Sequence, residues 1–483
     1  MKKPRRTPVF VENIEIVDAG SEGMAVAKPE GKVVFVPFAA PGDIVDLSFF
    51  KKKRNYFEGK IIEIKKYSDK RTAPVCSHFG LCGGCKWQHI DYKWQLFYKE
   101  KQVKDNFERI GKIDNPEISP ILASDKRFYY RNKLEYSFSN RKWLTDKADA
   151  GTHSEDDVKG LGFHLPGMFD RILDIKHCYL QEEPSNRIRL FIKDYAIRNK
   201  LSFYNARAYE GLMRNMFIRS TSDEKFMLII IFQYEDKEVI NKLLTAVSEE
   251  FPEITSLLYA INNKKNDSVS DLPMHLFKGD PFIVEKMASP NPLHNNLEFR
   301  IGPLSFYQTN AKQAEKLYRT VFDFANPKET DLVYDLYTGT GTMALYFARF
   351  AKHIIGIEYV EEAIADAKEN ARMNHIANTT FIAGDMAKVL DDDFIEQHGV
   401  PDIIITDPPR AGMHRKVIEQ LLKIKAKKMV YVSCNPATQA RDLSLLYQQY
   451  KIKSVQPVDM FPHTQHVENV VLLELRSELL ADE

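Results

Sequence analysis

Three side chains late in the sequence are of types that do chemistry together. Cys434, in Val432-Ser-Cys-Asn-Pro436, offers a thiol; Asp407, in Asp407-Pro-Pro-Arg410, and Glu468, in His463-Thr-Gln-His-Val-Glu-Asn-Val470, offer carboxylates. Each borders an apolar run of strand character: Cys434 follows 428–433, Asp407 follows 403–406, and Glu468 precedes 470–475. Parallel strands assemble their sites at their carboxyl ends, so Asp407 and Cys434 are expected to face one crevice, and Glu468, just before the last strand, is expected to converge on it. A cysteine taken alone is ordinarily a small buried hydrophobe. Beside two carboxylates it becomes a candidate nucleophile, with an acid or base in reach.

A second group lies upstream. Asp335-Leu-Tyr-Thr-Gly-Thr-Gly-Thr342 joins a strand at 333–336 to a helix over 343–351. Glycines at 339 and 341 let the backbone approach a ligand at the helix N-terminus, where free N–H groups sit. Glu358 ends the following strand, 19 residues after Gly339, a position from which an acid accepts both hydroxyls of a ribose. The third glycine of the dinucleotide pattern is missing, and Asp335 would repel a pyrophosphate. A nucleoside carrying positive charge, S-adenosylmethionine, fits better than NAD.

A thiol beside a methyl donor suggests one reaction in particular. C5 of a pyrimidine is a poor nucleophile, but thiolate addition at C6 builds electron density at C5, which can then take a sulfonium methyl. A base must afterwards remove the C5 proton so that the thiol can leave. Cys434 as nucleophile and Glu468 as base fit these roles, on an unpaired or flipped nucleotide.

The elements that must position these groups follow from the pattern. From about residue 330, apolar strands alternate with helices (361–374 among them), which means βαβ units and a parallel sheet covered on both faces. The fold class is therefore α/β, with a doubly wound, Rossmann-like C-terminal domain over 301–483. Residues 7–66 read as five short strands punctuated by glycines, an oligonucleotide-binding-type β-barrel assigned to 1–68. Between them, 69–300 mixes strands (134–138, 227–231) with helical stretches, an α+β central domain. A helix over 93–110 carries Trp94, Phe97, Val103, Phe107 and Ile110 on one side, and 144–160 and 262–272 read as polar loops.

Composition sets limits. A chain of 483 residues with 44% hydrophobic and 28% charged residues is a multidomain globular protein. Its longest apolar run is the seven residues Phe226–Phe232, far short of a bilayer span, and the basic start Met1-Lys-Lys-Pro-Arg-Arg6 has no apolar stretch behind it. A cytoplasmic monomer without membrane contact is expected. Net charge is +1, yet residues 1–75 hold 15 Lys and Arg against 10 Asp and Glu, so +5 there and −4 elsewhere. Lys51, Lys52, Lys53 and Arg54 are candidate phosphate contacts for RNA.

These residues resemble the RNA 5-methyluridine methyltransferases. The matching segments are Phe306-Tyr-Gln-Thr-Asn310, Asp335-Leu-Tyr-Thr-Gly-Thr-Gly341, Asp407-Pro-Pro-Arg-Ala-Gly412, Ser433-Cys-Asn-Pro436 and His466-Val-Glu-Asn-Val470. The resemblance implies that Gln308, Tyr337, Glu358 and Asp407 are methyl-donor or active-site positions, with Asp385 near the adenine. It makes Cys434 the nucleophile, Glu468 the base and Phe306 an aromatic near the target base.

Four further cysteines fall as Cys76-x5-Cys82-x2-Cys85 and Cys178. Disulfides are not expected in a cytoplasmic chain. Three clustered thiolates with one remote partner suit a [4Fe–4S] cluster, and zinc, with His78 or His89 assisting, is the alternative. Cys82-Gly-Gly-Cys-Lys-Trp-Gln-His89 and Asp174-Ile-Lys-His-Cys-Tyr-Leu180 resemble the iron–sulfur segment of the family branch acting on 23S ribosomal RNA. That branch also carries an N-terminal TRAM barrel, which 7–66 resembles. Arg131 and Lys133 resemble its basic strand start and are candidate RNA contacts.

The resemblance therefore implies methylation of uridine C5, most closely in 23S ribosomal RNA, with the tRNA T-loop uridine as a second substrate class. A catalytically inactive RNA-binding protein is the reading from another class, and the intact set Cys434, Glu468, Asp407 and Gln308 opposes it. A methylthio-transferring radical enzyme would space its cysteines C-x3-C-x2-C. In a DNA cytosine-5 methyltransferase the thiol would follow a proline early in the catalytic domain, whereas Cys434 follows Ser433 and lies late.

Overall fold

A computed structural model describes residues 8–51, 56–144 and 154–479. Lys52, Lys53 and Arg54, and most of the polar stretch 144–160, lie outside the described residues. The chain forms two compact units. One comprises Met1–Lys101 with Phe461–His466, the other Gln102–Met460 with Val467–Glu483.

In the first unit, strands Val9–Ala19, Ala25–Ala27, Val34–Val36, Phe57–Lys66 and Ile44–Lys51 close into a barrel in that order. Alternation along the strands turns Ile16, Val34, Val36, Val45, Leu47 and Phe49 inward to fill it. The cysteine segment continues from the barrel. Trp87 and Ile90 pack with Ala40 and Tyr98, and the Trp87 indole N–H donates to the carbonyl of Gly23 at 3.0 Å. The stretch Phe461–His466 belongs to this unit through His463, whose N–H donates to Gln95 Oε1 at 2.8 Å and whose carbonyl accepts from the N–H groups of Lys86 and Trp87.

The helix expected near 93–110 is Tyr92–Arg109. Its buried stripe differs from the expectation: Val103 and Phe107 are inaccessible and Tyr98 is buried, while Phe97 and Ile110 are exposed. Spacing of four between 94 and 98, and between 103 and 107, is the stripe that a 3.6-residue period keeps on one side.

The second unit holds two seven-stranded sheets. The central one runs His275–Gly279, Ile254–Ile261, Phe226–Phe232, Met213–Ser220, Lys133–Ser139, Gly160–His164, Ile172–Asp174. Phe226–Phe232 is buried at every position, the environment that an unbroken apolar strand requires. The catalytic-type sheet runs Thr379–Ala383, His353–Glu358, Leu332–Leu336, Ile403–Thr406, Lys428–Ser433, Glu468–Leu475, Tyr450–Val458. Its first five strands are parallel; Glu468–Leu475 runs against them, and Tyr450–Val458, antiparallel to Glu468–Leu475, points the same way as the first five. The sequence reading identified neither Thr379–Ala383 nor Tyr450–Val458 as strands. Both are edge strands: Thr379–Ala383 opens on two threonines and Tyr450–Val458 carries Lys451, Lys453, Ser454 and Gln456, so neither shows the apolar run of a central parallel strand. Among the described residues, no helix is long and apolar enough to cross a membrane.

Candidate active site

The parallel order places the turn after Leu336, Glu358, Asp407 and Cys434 along one edge of the sheet, the edge where parallel strands end. Glu468 reaches the same edge for the opposite reason. Its strand is antiparallel, so its first residue lies where its neighbours finish, and Ser433 pairs with Asn469. Asn469 is fully buried and donates to Gln439 Oε1 at 2.8 Å, while Gln439 Nε2 donates to the carbonyls of Tyr431 and Asn469. This side-chain clasp fixes the register that sets Cys434 opposite Glu468.

The turn at 335–342 is held from within. Thr338 Oγ1 donates to Asp335 Oδ2 at 2.5 Å, and the Gly339 N–H donates to Glu358 Oε2 at 3.2 Å. Tyr337, Gly339 and Gly341 all have positive φ. The two glycines do different work. A Cβ on Gly341 would come within 2.9 Å of Ala367 and 3.0 Å of Phe381, whereas one on Gly339 would meet nothing within 4 Å. Only Gly339 therefore leaves open space at the turn, and Gly341 is there for packing. Asp385 caps the short helix Met386–Val389 by accepting from the Ala387 N–H at 3.1 Å. With Glu358, Asp385 exerts its field on Tyr337.

The segment Phe306–Asn310 touches the glycine-rich turn, where the Thr340 hydroxyl donates to the carbonyl of Phe306 at 3.4 Å. Its backbone is anchored by Asn132 Nδ2, which donates to the carbonyl of Gln308 at 3.0 Å, and by Asn310 Nδ2, which donates to the carbonyl of Met460 at 2.9 Å. Tyr307 is buried, while Phe306 is 69% exposed. A large exposed ring beside the site suits an aromatic that meets a base. Of the other candidates, Lys133 is half-buried, its ammonium 5.8 Å over the Phe217 ring.

Electrostatics distinguish this edge. Burial pushes Glu468 up to about 8, and the charge of Asp407 adds to the effect. Burial, with the field of Asp335, raises Asp407 to about 7. Asp335 is likewise raised to about 7 by burial and by Glu358, against the Thr338 hydroxyl and the Ala344 N–H. The Cys434 thiol is pushed up to about 11 by burial, Glu468 and Asp407. Crowded, desolvated carboxylates hold protons that a bound cation would displace. Clustered shifts of this kind are the mark of a reactive site.

Sequence pattern assigns no role to Arg410, the last residue of Asp407-Pro-Pro-Arg410. Its guanidinium is within hydrogen-bonding reach of the Cys434 sulfur and opposes the upward shifts of both Cys434 and Glu468. Its backbone is tied to the nucleophile turn, since its carbonyl accepts from Asn435 Nδ2 at 3.0 Å and Thr438 Oγ1 at 3.2 Å. The only available signal was its place three residues after Asp407.

The open turn at Gly339, the ribose-type carboxylate of Glu358 and the buried carboxyls of Asp335 and Asp407 fit a cationic nucleoside. The four remaining cysteines present a different picture. Gly84 N–H lies 3.4 Å from the Cys82 sulfur and Gln88 Nε2 lies 3.2 Å from that of Cys85, the kind of N–H···S contact that metal thiolates receive. Cys178 is buried, its N–H donating to Asn186 Oδ1 at 2.8 Å. Among the described residues, however, no three His, Cys, Asp or Glu side chains converge as a ready metal site.

Residues 293–476 match the family model of tRNA (uracil-5-)-methyltransferases, and residues 5–62 match the TRAM domain. An RNA methyltransferase of Bacteroides thetaiotaomicron is 53% identical over 94% of this chain and all of its own length. One from Porphyromonas gingivalis is 50% identical over 96% of this chain and all of its own length. The crystal structure of the Pyrococcus abyssi tRNA (uracil-54, C5)-methyltransferase in complex with S-adenosyl-L-homocysteine aligns with a TM-score of 0.73. It is 27% identical, over 95% of this chain and 99% of that one.

Proposed function

The chain belongs to the RNA uracil-5-methyltransferase family, with an N-terminal TRAM domain, and from that premise we propose that it methylates C5 of a uridine in 23S ribosomal RNA. The observation that carries the reading is the convergence of Cys434, Glu468, Asp407 and Arg410 on one sheet edge beside an open nucleoside turn.

When bound, S-adenosylmethionine supplies an electrophilic methyl group on a sulfonium. Glu358 is placed to accept its ribose hydroxyls, and Gly339 gives its backbone room. Gln308, Tyr337, Asp407 and Asp385 complete the proposed binding set. Arg410 favours the thiolate of Cys434, which adds to C6 of the target uracil and shifts density onto C5. After C5 has gained its methyl, Glu468 takes the C5 proton, the electron pair of that C–H bond restores the C5–C6 double bond, and Cys434 leaves as thiolate. Phe306 is assigned to contact the flipped base.

The barrel and the cysteine segment support ribosomal RNA as substrate. The P. abyssi structure, a tRNA enzyme by name, favours the tRNA T-loop uridine as the second reading. We assign Cys76, Cys82, Cys85 and Cys178 to a structural [4Fe–4S] cluster, with zinc as the alternative, on their spacing and the N–H groups offered to two of the sulfurs. No step of the chemistry passes through it. The decisive experiment incubates the protein and labelled methyl donor with a 23S fragment and with a tRNA T-arm transcript, then maps 5-methyluridine. Label in neither RNA would reject the proposed activity.

A further inference from the structure

A groove of about 690 Å³ opens in the N-terminal unit between the end of the barrel and the cysteine segment. Phe38, Tyr67, Arg71, Pro74, Phe79 and His89 line it, and no acidic residue does. The rings form a set: Phe38 meets Phe79 edge-on with centroids 5.7 Å apart, and Phe79 lies 5.2 Å from the His89 ring at a shallow angle. Tyr67 is 66% exposed, and the Arg71 guanidinium lies over its ring at 5.5 Å. That guanidinium is not free to swing. Its Nε and Nη2 donate to Asp43 at 2.8 and 2.7 Å, and Nη2 also donates to the carbonyl of Phe38.

His89 adds a directional group. Its Nε2 lies 3.2 Å from the carbonyl of Ala39. A carbonyl can only accept, so Nε2 carries the hydrogen and, in the neutral ring, Nδ1 carries a lone pair. Nδ1 is buried without a partner. The groove thus combines aromatic walls with a guanidinium held in place beside them.

We propose that this groove holds an unpaired nucleobase of the RNA substrate, stacked against Tyr67 with its edge toward His89. Flat aromatic and guanidinium surfaces take any base by its π-face. The excess of positive charge over residues 1–75 agrees with a polyanion rather than an acidic or apolar peptide. The inference rests on the RNA reading above and deepens it. The substrate would be an RNA with a single-stranded segment in addition to its target uridine, gripped by residues far from Cys434 in sequence.

The test uses the full chain without methyl donor, binding a fluorescent single-stranded 12-mer RNA with one 2-aminopurine and a duplex of equal length. Tyr67→Ala, at an exposed position that the fold does not need, is expected to weaken single-strand binding about tenfold and to abolish quenching of the 2-aminopurine. Tyr67→Phe keeps the ring and is expected to bind like the parent, and duplex binding should not change. Parental affinity and quenching in Tyr67→Ala would overturn the proposal, as would an equal loss for duplex and single strand. So would displacement of the RNA by an apolar peptide that depends on Tyr67. Because the readout is binding, the two readings separate. Tyr67-dependent stacking in a protein that methylates no RNA sinks the methylation reading alone, and methylation with a KM for RNA indifferent to Tyr67→Ala sinks the groove alone.

Discussion

Cys434 and Glu468 stand opposite each other because one ladder ends between them. Ser433 pairs with Asn469 as the final registered pair of two antiparallel strands, and the two reactive residues are the next positions on each side. Backbone register therefore determines their separation, and the Asn469–Gln439 clasp secures that register. A one-residue slip would turn Glu468 to the other side of the sheet.

The two residues should fail differently when removed. Cys434→Ala is expected to abolish methyl transfer and to form no covalent adduct with 5-fluorouridine RNA. Glu468→Gln should lower kcat by about 10²–10⁴-fold, the span of a general base, and should accumulate a covalent protein–RNA species with ordinary uridine RNA. A denaturing gel shift distinguishes them. Normal turnover by Cys434→Ala would remove it as the nucleophile.

Methyl-donor affinity should depend on pH with a definite sign. Asp335, Asp407 and Glu468 are held protonated to about 7, 7 and 8. A cation is attracted only to their ionised forms, so binding should tighten as pH rises from 6 to 8.5 and should release protons. Calorimetry in buffers of different ionisation enthalpy measures this directly. S-adenosylhomocysteine, lacking the sulfonium charge, is expected to show a shallower dependence.

The same carboxyls cost stability when they ionise. A group whose folded pKa is raised contributes stability that is fully present below its unfolded pKa and is lost as pH rises through the folded pKa. For Asp407 the window runs from about 4 to about 7. Asp407→Asn should therefore raise the melting temperature of the free protein at pH 8 relative to the parent, more than at pH 5, while activity is lost. Scanning fluorimetry across pH decides it; an unchanged difference between pH 5 and 8 would remove Asp407 from the set.

The paired glycines separate packing from binding. Gly341→Ala forces a Cβ against Ala367 and Phe381 at a positive φ, and should cost about 1–3 kcal/mol of stability. Gly339→Ala has open space and only the backbone penalty, about 1–2 kcal/mol, but should raise KM for the methyl donor. Equal KM in parent and Gly339→Ala would show that the ligand does not use that space.

The cysteine assignment has a direct chemical readout. Anaerobically purified protein should contain about four irons, absorb broadly at the violet end of the spectrum, and lose colour and melting temperature together on oxidative removal of iron. Stoichiometric zinc without iron would transfer the four thiolates to the alternative metal.

Much of the site was legible in the sequence because parallel strands deliver their last residues to one edge. Once 403–406 and 428–433 read as strands, Asp407 and Cys434 had to share a crevice, and a Gly-rich turn followed by a spaced acid marked the nucleoside side. Local pattern also decided the barrel, whose apolar alternation and glycine breaks depend on near neighbours alone. Other features needed the folded chain. The antiparallel insertion of Glu468–Leu475 between Lys428–Ser433 and Tyr450–Val458 was not foreseeable from either strand, since the pairing partner of a strand is set by distant residues. The separate duties of Gly339 and Gly341 depend on where Ala367 and Phe381 come to rest. Arg410 acquires its role, and the carboxylates their elevated pKa values, only when packing strips water from groups lying far apart in the sequence. Desolvation is a property of the three-dimensional neighbourhood, and no linear spacing encodes it.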